Sequence, residues 1–294
     1  MTYRTLEPGQ TARVHLHDTR TGEDVVIHES DDVLYEAPNW SLDGTRLLLN
    51  GNGVLWSLAP EAGARPQEIV HPGLPALNND HVLDPSGEAI YVSAMDRHIY
   101  RVPLSGGAAE RVTSDEGVWH FLHGVSPDGE RLAYVRITTF DEPGRLAVMP
   151  ATGGETTVLD TGAGHIDGPE WSPDGEWIYL NSEHWAARPG HAQLARIRET
   201  GGGLERLVVS DTVDWFPHLS PDGTRAVYIE FPPGTEGHPA DLDVTLVVVD
   251  TADWQAPLER IPLPGGQGTI NVNSWSPDSR RFAYVSYPSA PALR

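Results

Sequence analysis

A turn motif, Trp171-Ser172-Pro173-Asp174-Gly175, leads directly into the apolar run Trp177-Ile178-Tyr179-Leu180. Proline at the first central position of a turn and Asp-Gly after it make a tight reversal, so the motif predicts a β-hairpin. Successive copies of this turn begin 43, 42, 46, 48 and 56 residues apart. The other five copies are Ser41-Leu42-Asp43-Gly44, Asp84-Pro85-Ser86-Gly87, Ser126-Pro127-Asp128-Gly129, Ser220-Pro221-Asp222-Gly223 and Ser276-Pro277-Asp278-Ser279. The chain is therefore predicted to repeat one hairpin six times.

Each repeat is longer than one hairpin and contains a second pair of predicted strands. The second pair is clearest at residues 99–103 and 108–113, which flank the turn Gly106-Gly107. Four strands in about 45 residues are typical of a β-propeller blade, whereas leucine-rich and helical repeats have other periods and patterns. The sequence therefore predicts an all-β fold, a six-bladed β-propeller that forms a single domain over residues 1–294.

The last repeat is predicted to be completed by the other end of the chain. It has only two strands before the chain ends, and the missing outer pair is predicted at residues 12–17 and 23–28. We expect this composite blade to join the termini and to hide the open edges of the ring. The predicted blades cover residues 34–72, 78–114, 118–161, 164–210 and 213–264, and finally residues 270–288 together with 11–29.

The Trp-Ser-Pro-Asp-Gly motif and the double-glycine turns at Gly106-Gly107 and Gly153-Gly154 resemble the TolB-like, or WD40-like, propeller repeat. The resemblance extends over residues 12–287 and implies mostly interaction roles. Similar repeats occur in periplasmic TolB, in the propeller domain of prolyl oligopeptidases and in oligogalacturonate lyases. Neither the extra α/β domain of TolB nor the Gly-x-Ser-x-Gly elbow of the hydrolases is visible in this sequence. The resemblance therefore indicates the fold more strongly than the function.

The charge of the chain excludes several classes of partner. The 42 acidic residues outnumber 20 basic residues, all arginine, and the formal net charge is −22. Such a field repels nucleic acid and anionic membrane surfaces. The first ten residues lack the apolar stretch of a signal peptide, and no apolar run reaches the ~18 residues of a membrane span. We therefore expect a cytoplasmic monomer with no nucleic-acid or membrane partner.

Histidine is concentrated in two classes of predicted loop, which are the segments entering the inner strands and the loops after the second strands. Nine of the 13 histidines fall there. In a propeller both classes lie on one face, so we expect their side chains to meet around a central opening. The predicted ligand-binding residues are Asn39, Asp80, His81, Trp119, His120, His123, Asp167, Glu170, Asp214, Trp215, His218 and Asn273, with Arg188 from a neighbouring loop.

Part of this set has the chemistry of a metal site. Cysteine is absent, so only His, Asp, Glu or Asn could hold a metal, and the predicted ligands are His123, Glu170 and His218. Imidazole with carboxylate suits manganese or zinc, whereas carboxylates and amides alone suit calcium. His81 and His120 are the candidate general bases, because imidazole titrates near neutral pH.

The sequence leaves two functions of the central site open, beside a third in which the outer edges or the opposite face of the propeller bind a protein partner. In the first, the central site binds a small polar or carbohydrate-like ligand, or a protein segment, without chemistry. In the second, a divalent metal and a histidine base act on an oligosaccharide or uronate as a lyase or hydrolase, and Arg188 holds the substrate carboxylate. Binding is favoured, because no pair of nucleophile and base stands out in the sequence.

Overall fold

The computed structural model describes residues 3–290. This part of the chain forms 23 β-strands and no helix, so it contains no helix long and apolar enough to cross a membrane. The strands are β1 (Ala12–Asp18), β2 (Glu23–Ser30), β3 (Tyr35–Trp40), β4 (Leu47–Gly51), β5 (Val54–Leu58), β6 (Gln67–Ile69), β7 (Leu77–Leu83), β8 (Ala89–Ala94), β9 (Ile99–Pro103), β10 (Glu110–Arg111), β11 (Trp119–Val125), β12 (Arg131–Ile137), β13 (Arg145–Pro150), β14 (Thr157–Val158), β15 (Ile166–Trp171), β16 (Trp177–Ser182), β17 (Gln193–Arg198), β18 (Glu205–Arg206), β19 (Val213–Leu219), β20 (Arg225–Phe231), β21 (Ala240–Asp250), β22 (Asp253–Gly266) and β23 (Arg281–Ser286).

The strands form six antiparallel sheets arranged as the blades of a ring. Five blades are consecutive four-stranded sheets, namely β3 to β6, β7 to β10, β11 to β14, β15 to β18 and β19 to β22. The sixth sheet has the order β2-β1-β23, so the two ends of the chain pair in one blade. The predicted six-bladed propeller with a composite closing blade is therefore confirmed.

The repeated turn is held by hydrogen bonds within four residues. In Ser172-Pro173-Asp174-Gly175 the Ser172 hydroxyl donates to the Asp174 carboxylate at 2.6 Å, and the Gly175 N–H donates to the Ser172 carbonyl at 2.9 Å. The φ angle of Gly175 is 75°, a left-handed conformation that costs glycine little. Because these contacts are local, the aspartate of each turn serves the hairpin and is not available to a ligand.

The apolar core lies between neighbouring blades. Trp40, Trp171 and Trp275, which each precede a turn, are 3%, 5% and 3% exposed. Trp171 packs in a cluster with side chains of β12 and β16, and Trp40 packs with side chains of the closing blade. Burying an aromatic side chain of this size stabilises the fold by about 2–3 kcal/mol. The tryptophans therefore hold adjacent blades together.

A β-bulge interrupts the inner strand of every four-stranded blade. The pairing register shifts within β3, β7, β11, β15 and β19. A bulge breaks the alternation of side chains and turns the next side chain in a new direction. Ala37, Gly168 and Phe216, which lie at three of these bulges, have positive φ angles of 51°, 59° and 54°. These three bulges lie four residues before the first residue of the turn, whereas the register shifts of β7 and β11 fall between Leu77 and His81 and between Leu122 and Gly124. The distance from the turn alone therefore does not give the direction of a side chain.

The inner edge of the closing blade is irregular, in contrast to the predicted strand there. Within residues 270–275 only the bridge between Trp275 and Phe282 connects this edge to β23. The carbonyl oxygen of Ile270 instead accepts a hydrogen bond from His218 at 2.6 Å, and that of Asn271 accepts one from His123 at 3.2 Å. Two histidines from other blades thus replace strand pairing at this edge.

Candidate functional site

A cavity of about 370 Å³ lies where the inner strands and their loops meet. Residues from blades one to four, the long loop after β20, the segment after β22 and the N-terminal segment all contribute to it. The lining residues are Tyr3, Arg4, Glu36, Asn78, Asn79, Asp80, Met95, Trp119, Phe121, His123, Ile137, Phe140, His165, Asp167, His238, Gln267 and Asn271. Four of the predicted site residues are among them, namely Asp80, Trp119, His123 and Asp167.

One wall of the cavity is an aromatic strip on β11. Trp119 and Phe121 alternate along this strand and therefore share one face, and His123, at the bulge of the strand, also lines the cavity. The rings of Trp119 and Phe121 are stacked, with centroids 5.6 Å apart and planes 2° apart. Phe140, from the loop after β12, lies 5.6 Å from the Trp119 ring, and the Arg97 guanidinium lies 5.0 Å from its centroid. The strip is thus an aromatic wall that ends at an imidazole.

The wall that adjoins the strip at His123 is organised around the carboxylate of Asp167. Asp167 Oδ1 accepts a hydrogen bond from His123 Nε2 at 3.0 Å, and Oδ2 lies 3.4 Å from His238 Nε2 and 3.8 Å from His165 Nε2. The Gly144 N–H donates to His165 Nδ1 at 2.8 Å, which places the proton of that ring on Nε2, toward Asp167. Burial alone would raise the pKa of Asp167, but the three histidines hold it well below its usual value. Asp167 is therefore ionised at neutral pH.

His123 is the cation of this wall. Its two ring nitrogens face oxygen acceptors, Nε2 the Asp167 carboxylate and Nδ1 the Asn271 carbonyl, so both nitrogens donate and the ring is protonated. Burial alone would lower the pKa of His123, but the carboxylates of Asp80 and Asp167 raise it to about 9. The ring therefore keeps its positive charge at neutral pH.

Two further carboxyl groups lie in the cavity wall and are only partly compensated. Burial raises the pKa of Glu36 to about 7 and that of Asp80 to about 6. Glu36 Oε1 accepts hydrogen bonds from Arg4 at 2.8 Å and from Asn79 at 3.3 Å. Asp80 Oδ2 accepts one from Asn78 at 2.9 Å, while Asp80 Oδ1 lies 3.8 Å from His123. The cavity thus contains acids that titrate close to neutral pH.

The Phe216 ring packs against His123 and against a second buried histidine, His218. Its centroid lies 5.7 Å from that of His123 and 6.4 Å from that of His218. His218 Nδ1 bonds Glu170 Oε2 at 2.6 Å and its Nε2 bonds the Ile270 carbonyl at 2.6 Å. Both ring nitrogens of His218 are already hydrogen-bonded and are not free to bind a ligand. The pair of His218 and Glu170 therefore connects two neighbouring blades.

The predicted metal set is divided by this arrangement. Glu170 Oε1 accepts hydrogen bonds from Asn273 Nδ2 at 2.7 Å and from the backbone N–H of Leu219 at 3.0 Å, and Asn39 donates to the Asn273 carbonyl at 2.6 Å. Within residues 3–290 no group of three or more His, Asp or Glu side chains has the arrangement of a metal site. His123, Glu170 and His218 therefore do not form one ligand set here. Manganese, zinc or calcium binding stays a prediction.

The remaining predicted site residues lie outside the cavity lining. His81 is buried without a partner for Nε2, and burial lowers its pKa to about 4. His120 bonds a carbonyl in the turn between β8 and β9 at 2.7 Å. Asp214 accepts hydrogen bonds from hydroxyl and amide groups of its own blade and the preceding one, and Trp215 is 1% exposed. Arg188 is exposed in the loop between β16 and β17.

Several cavity residues were not predicted. His165 and His238 belong to the loop classes in which histidine is concentrated, and that bias was a usable signal for them. Arg4 and Gln267 had no signal, because the N-terminal segment and the end of β22 lie outside both loop classes. Arg4 reaches Glu36 and the Gln267 carbonyl only because the chain ends meet in the closing blade.

A second histidine–aspartate network lies in the closing blade. Ser286, His15 and Asp24 are connected in the order of a serine-hydrolase triad, with 2.9 Å between Ser286 Oγ and His15 Nε2 and 2.7 Å between His15 Nδ1 and Asp24 Oδ1. Tyr284 donates to the other Asp24 oxygen at 2.7 Å, and His17 bonds Glu259 of β22 at 2.8 Å. Ser286 is only 5% exposed and lies outside the cavity lining. The network therefore ties β1, β2 and β23 together.

The fold and the cavity define the class of this protein as a six-bladed β-propeller with a ligand-sized opening among its inner strands. Residues 102–260 match the family model described as the lipoprotein LpqB β-propeller domain. The chain is 37% identical over 288 residues to an uncharacterized protein of Agrobacterium fabrum, which covers 95% of this chain and 94% of that protein. The chain belongs to the TolB-like β-propeller family.

Solved structures agree with this assignment. A structure from Agrobacterium tumefaciens, provisionally described as TolB, superposes with a TM-score of 0.87 at 35% identity and covers 96% of this chain and 99% of that one. An oligogalacturonate lyase in complex with manganese superposes with a TM-score of 0.55 at 16% identity and covers 94% of this chain and 78% of that one. At that identity the lyase shows a shared fold alone.

Proposed function

We propose that this propeller binds a small polar ligand, such as a carbohydrate or a short protein segment, in the central cavity. The observation that carries the proposal is the combination of an aromatic strip and a hydrogen-bonding wall in one cavity of about 370 Å³. Small-molecule sites are typically cavities of about 300–1,000 Å³ with an apolar lining and a few convergent polar groups.

The two walls contact different parts of the proposed ligand. The aromatic side chains that line the cavity, Trp119, Phe121 and Phe140, suit the C–H face of a sugar ring or the side chain of a peptide. In the same cavity, Asp80, Glu36 and Asn79 supply carboxylate and amide groups that hold hydroxyl or N–H groups in one orientation. A ligand with one apolar face and one polar edge satisfies both walls.

A lyase or hydrolase activity is not part of this proposal. The histidines that were candidate general bases, His81 and His120, are absent from the cavity lining. Arg188, the candidate for holding a substrate carboxylate, is exposed in a loop and is likewise absent from the lining. A general base must come within hydrogen-bond reach of the proton that it abstracts.

The proposal is tested by screening neutral monosaccharides, uronic acids and short peptides by ligand-observed NMR against the purified chain. We expect at least one class to bind, and we expect Trp119→Ala to weaken that binding about tenfold through loss of the stacking surface. Trp185→Ala, in the loop after β16 and outside the lining, is the matched control and should leave binding unchanged. Equal loss in both variants, or binding unaffected by Trp119→Ala, would contradict a site in this cavity.

A further inference from the structure

Asp80 has fewer charged and hydrogen-bonding partners than the other acids of the cavity wall. Arg4 is paired with Glu36 at 2.8 Å, and His123 is paired with Asp167 at 3.0 Å. Asp80 is only 4% exposed, yet the one charged partner within 4 Å of it in residues 3–290 is the same His123 ring, at 3.8 Å. Asp167 has two further imidazoles, His238 at 3.4 Å and His165 at 3.8 Å, whereas Asp80 has only the His123 ring that it shares with Asp167. Asp80 Oδ1 has no hydrogen-bond donor in this part of the chain.

One organic cation of the chain, the guanidinium of Arg4, already lies in this cavity wall. The Arg4 guanidinium lies against the Glu36 carboxylate and 5.4 Å from the centroid of the Tyr287 ring. It also donates to the Gln267 carbonyl at 2.6 Å. A carboxylate, an aromatic face and a carbonyl oxygen together are a cation-binding arrangement. At the Asp80 side the Arg97 guanidinium lies over the Trp119 ring, 5.0 Å from its centroid, but no arginine of the described residues lies within 4 Å of the Asp80 carboxylate.

The aromatic strip supplies the second half of such a site. Trp119 and Phe121 line the same cavity as Asp80, and both lie on β11, the strand that carries His123. Aromatic faces attract cations and also accept the apolar part of an organic ligand. The strip and the carboxylate thus favour a molecule with an apolar body and a positively charged end.

We propose that the ligand of the central cavity carries a protonated amine that binds Asp80, with its apolar part on Trp119 and Phe121. This inference rests on the proposed function and names the chemical class of its ligand. An ammonium group brings three donors to an oxygen that lacks one, whereas an anionic ligand would meet the carboxylates of Asp80, Glu36 and Asp167. The net charge of −22 also raises the local concentration of cations around the chain.

The test compares two probes of nearly the same shape, tyramine and tyrosol, which end in an amine and a hydroxyl group respectively. Binding of each to the full chain is measured by isothermal titration calorimetry at pH 7.5 in 150 mM salt, which screens the general field of the protein. We expect tyramine to bind at least tenfold more tightly than tyrosol. Asp80→Asn, which keeps the shape of the side chain, should remove that preference.

A matched control separates the site from the overall charge. Asp115→Asn removes one exposed acid outside the cavity lining and should leave the preference for tyramine unchanged. If Asp80→Asn does not fold, the ratio of the two affinities for the unmodified chain decides the question. Equal affinities that both fall in Trp119→Ala would overturn the amine but support the cavity as the binding site. Absence of tyramine binding would overturn the amine class, while the sugar and peptide screen would still decide the proposed function.

Discussion

The central cavity and the closing blade are built from the same side-chain chemistry but differ in what surrounds it. In the cavity Asp167 is bonded to His123 and has two further imidazoles near it, and in the closing blade Asp24 is bonded to His15 with His17 beside it. The cavity network borders a space of about 370 Å³, whereas the closing-blade network lies across paired strands.

This difference shows that residue type alone does not indicate a functional site. The series Ser286, His15 and Asp24 has the hydrogen-bond order of a catalytic triad, but its serine is buried and its partners join three strands of one sheet. The cavity network lacks a nucleophile, but it has an aromatic wall beside it and, in Asp80, a carboxylate oxygen without a hydrogen-bond donor in the described residues. The two networks therefore differ in whether a ligand can reach them, and substitutions can test that difference.

The largest effect is expected for Asp167→Ala. The change leaves the His123 imidazolium buried without its closest counter-ion, and breaking a buried pair in this way costs about 3–5 kcal/mol. Urea denaturation should show this loss in the free energy of unfolding, and ligand binding should fall as well because the cavity wall loses its organising group. A loss below about 1 kcal/mol would contradict the central role assigned to this carboxylate.

The next effect is a dependence of stability on pH that arises from His123. Its pKa is raised on folding from 6.5 to about 9, so the stability it adds is complete below pH 6.5 and is lost as the pH rises through 9. Between pH 6.5 and pH 10 this amounts to about 3 kcal/mol. His123→Gln should remove this part of the pH dependence, which thermal unfolding across the range would measure. An unchanged pH profile in the variant would show that the ring is not the responsible cation.

Asp24→Ala should destabilise the closing blade by a smaller amount, about 2 kcal/mol, because the Asp24 side chain is 30% exposed and water compensates part of the loss. Burial alone would raise the pKa of Asp24, but hydrogen bonds from His15, His17 and Tyr284 lower it. Affinity for a cavity ligand should not change, in contrast to Asp167→Ala. A variant with normal stability and lost binding would reverse the roles assigned to the two networks.

Ser286→Ala should have the smallest effect, about 1 kcal/mol or less, the contribution of one hydrogen bond. Because Ser286 is buried, a fluorophosphonate probe for activated serines should not label the unmodified chain. Mass spectrometry after exposure to the probe checks this directly. Labelling of the unmodified chain that disappears in Ser286→Ala would show that the closing blade contains a nucleophile after all.

The architecture was predictable because its signals are local. Each turn is stabilised within four residues, as Ser172 and Gly175 show, and its spacing along the chain gives the number of blades. The candidate site was predictable only in part. Asp80 and His123 do lie in the cavity wall, but His218, predicted to share one opening with them, is absent from the cavity lining and bonds Glu170 and the Ile270 carbonyl. The register shifts of β7, β11 and β19 fall at different distances from their turns, and no local motif indicates where they fall.

The sequence by itself determined six hairpins, their closure by both ends of the chain and a concentration of histidine on one face, since each depends on short-range spacing or on composition. Only the tertiary structure decided which histidines reach the cavity, that Arg4 enters its wall, and that Asp80 is left without a cation of its own. Those outcomes depend on contacts such as His123 with Asn271, 148 residues apart, and Arg4 with Gln267, 263 residues apart. Contacts over such separations exist only after the ring has closed, so no local pattern encodes them.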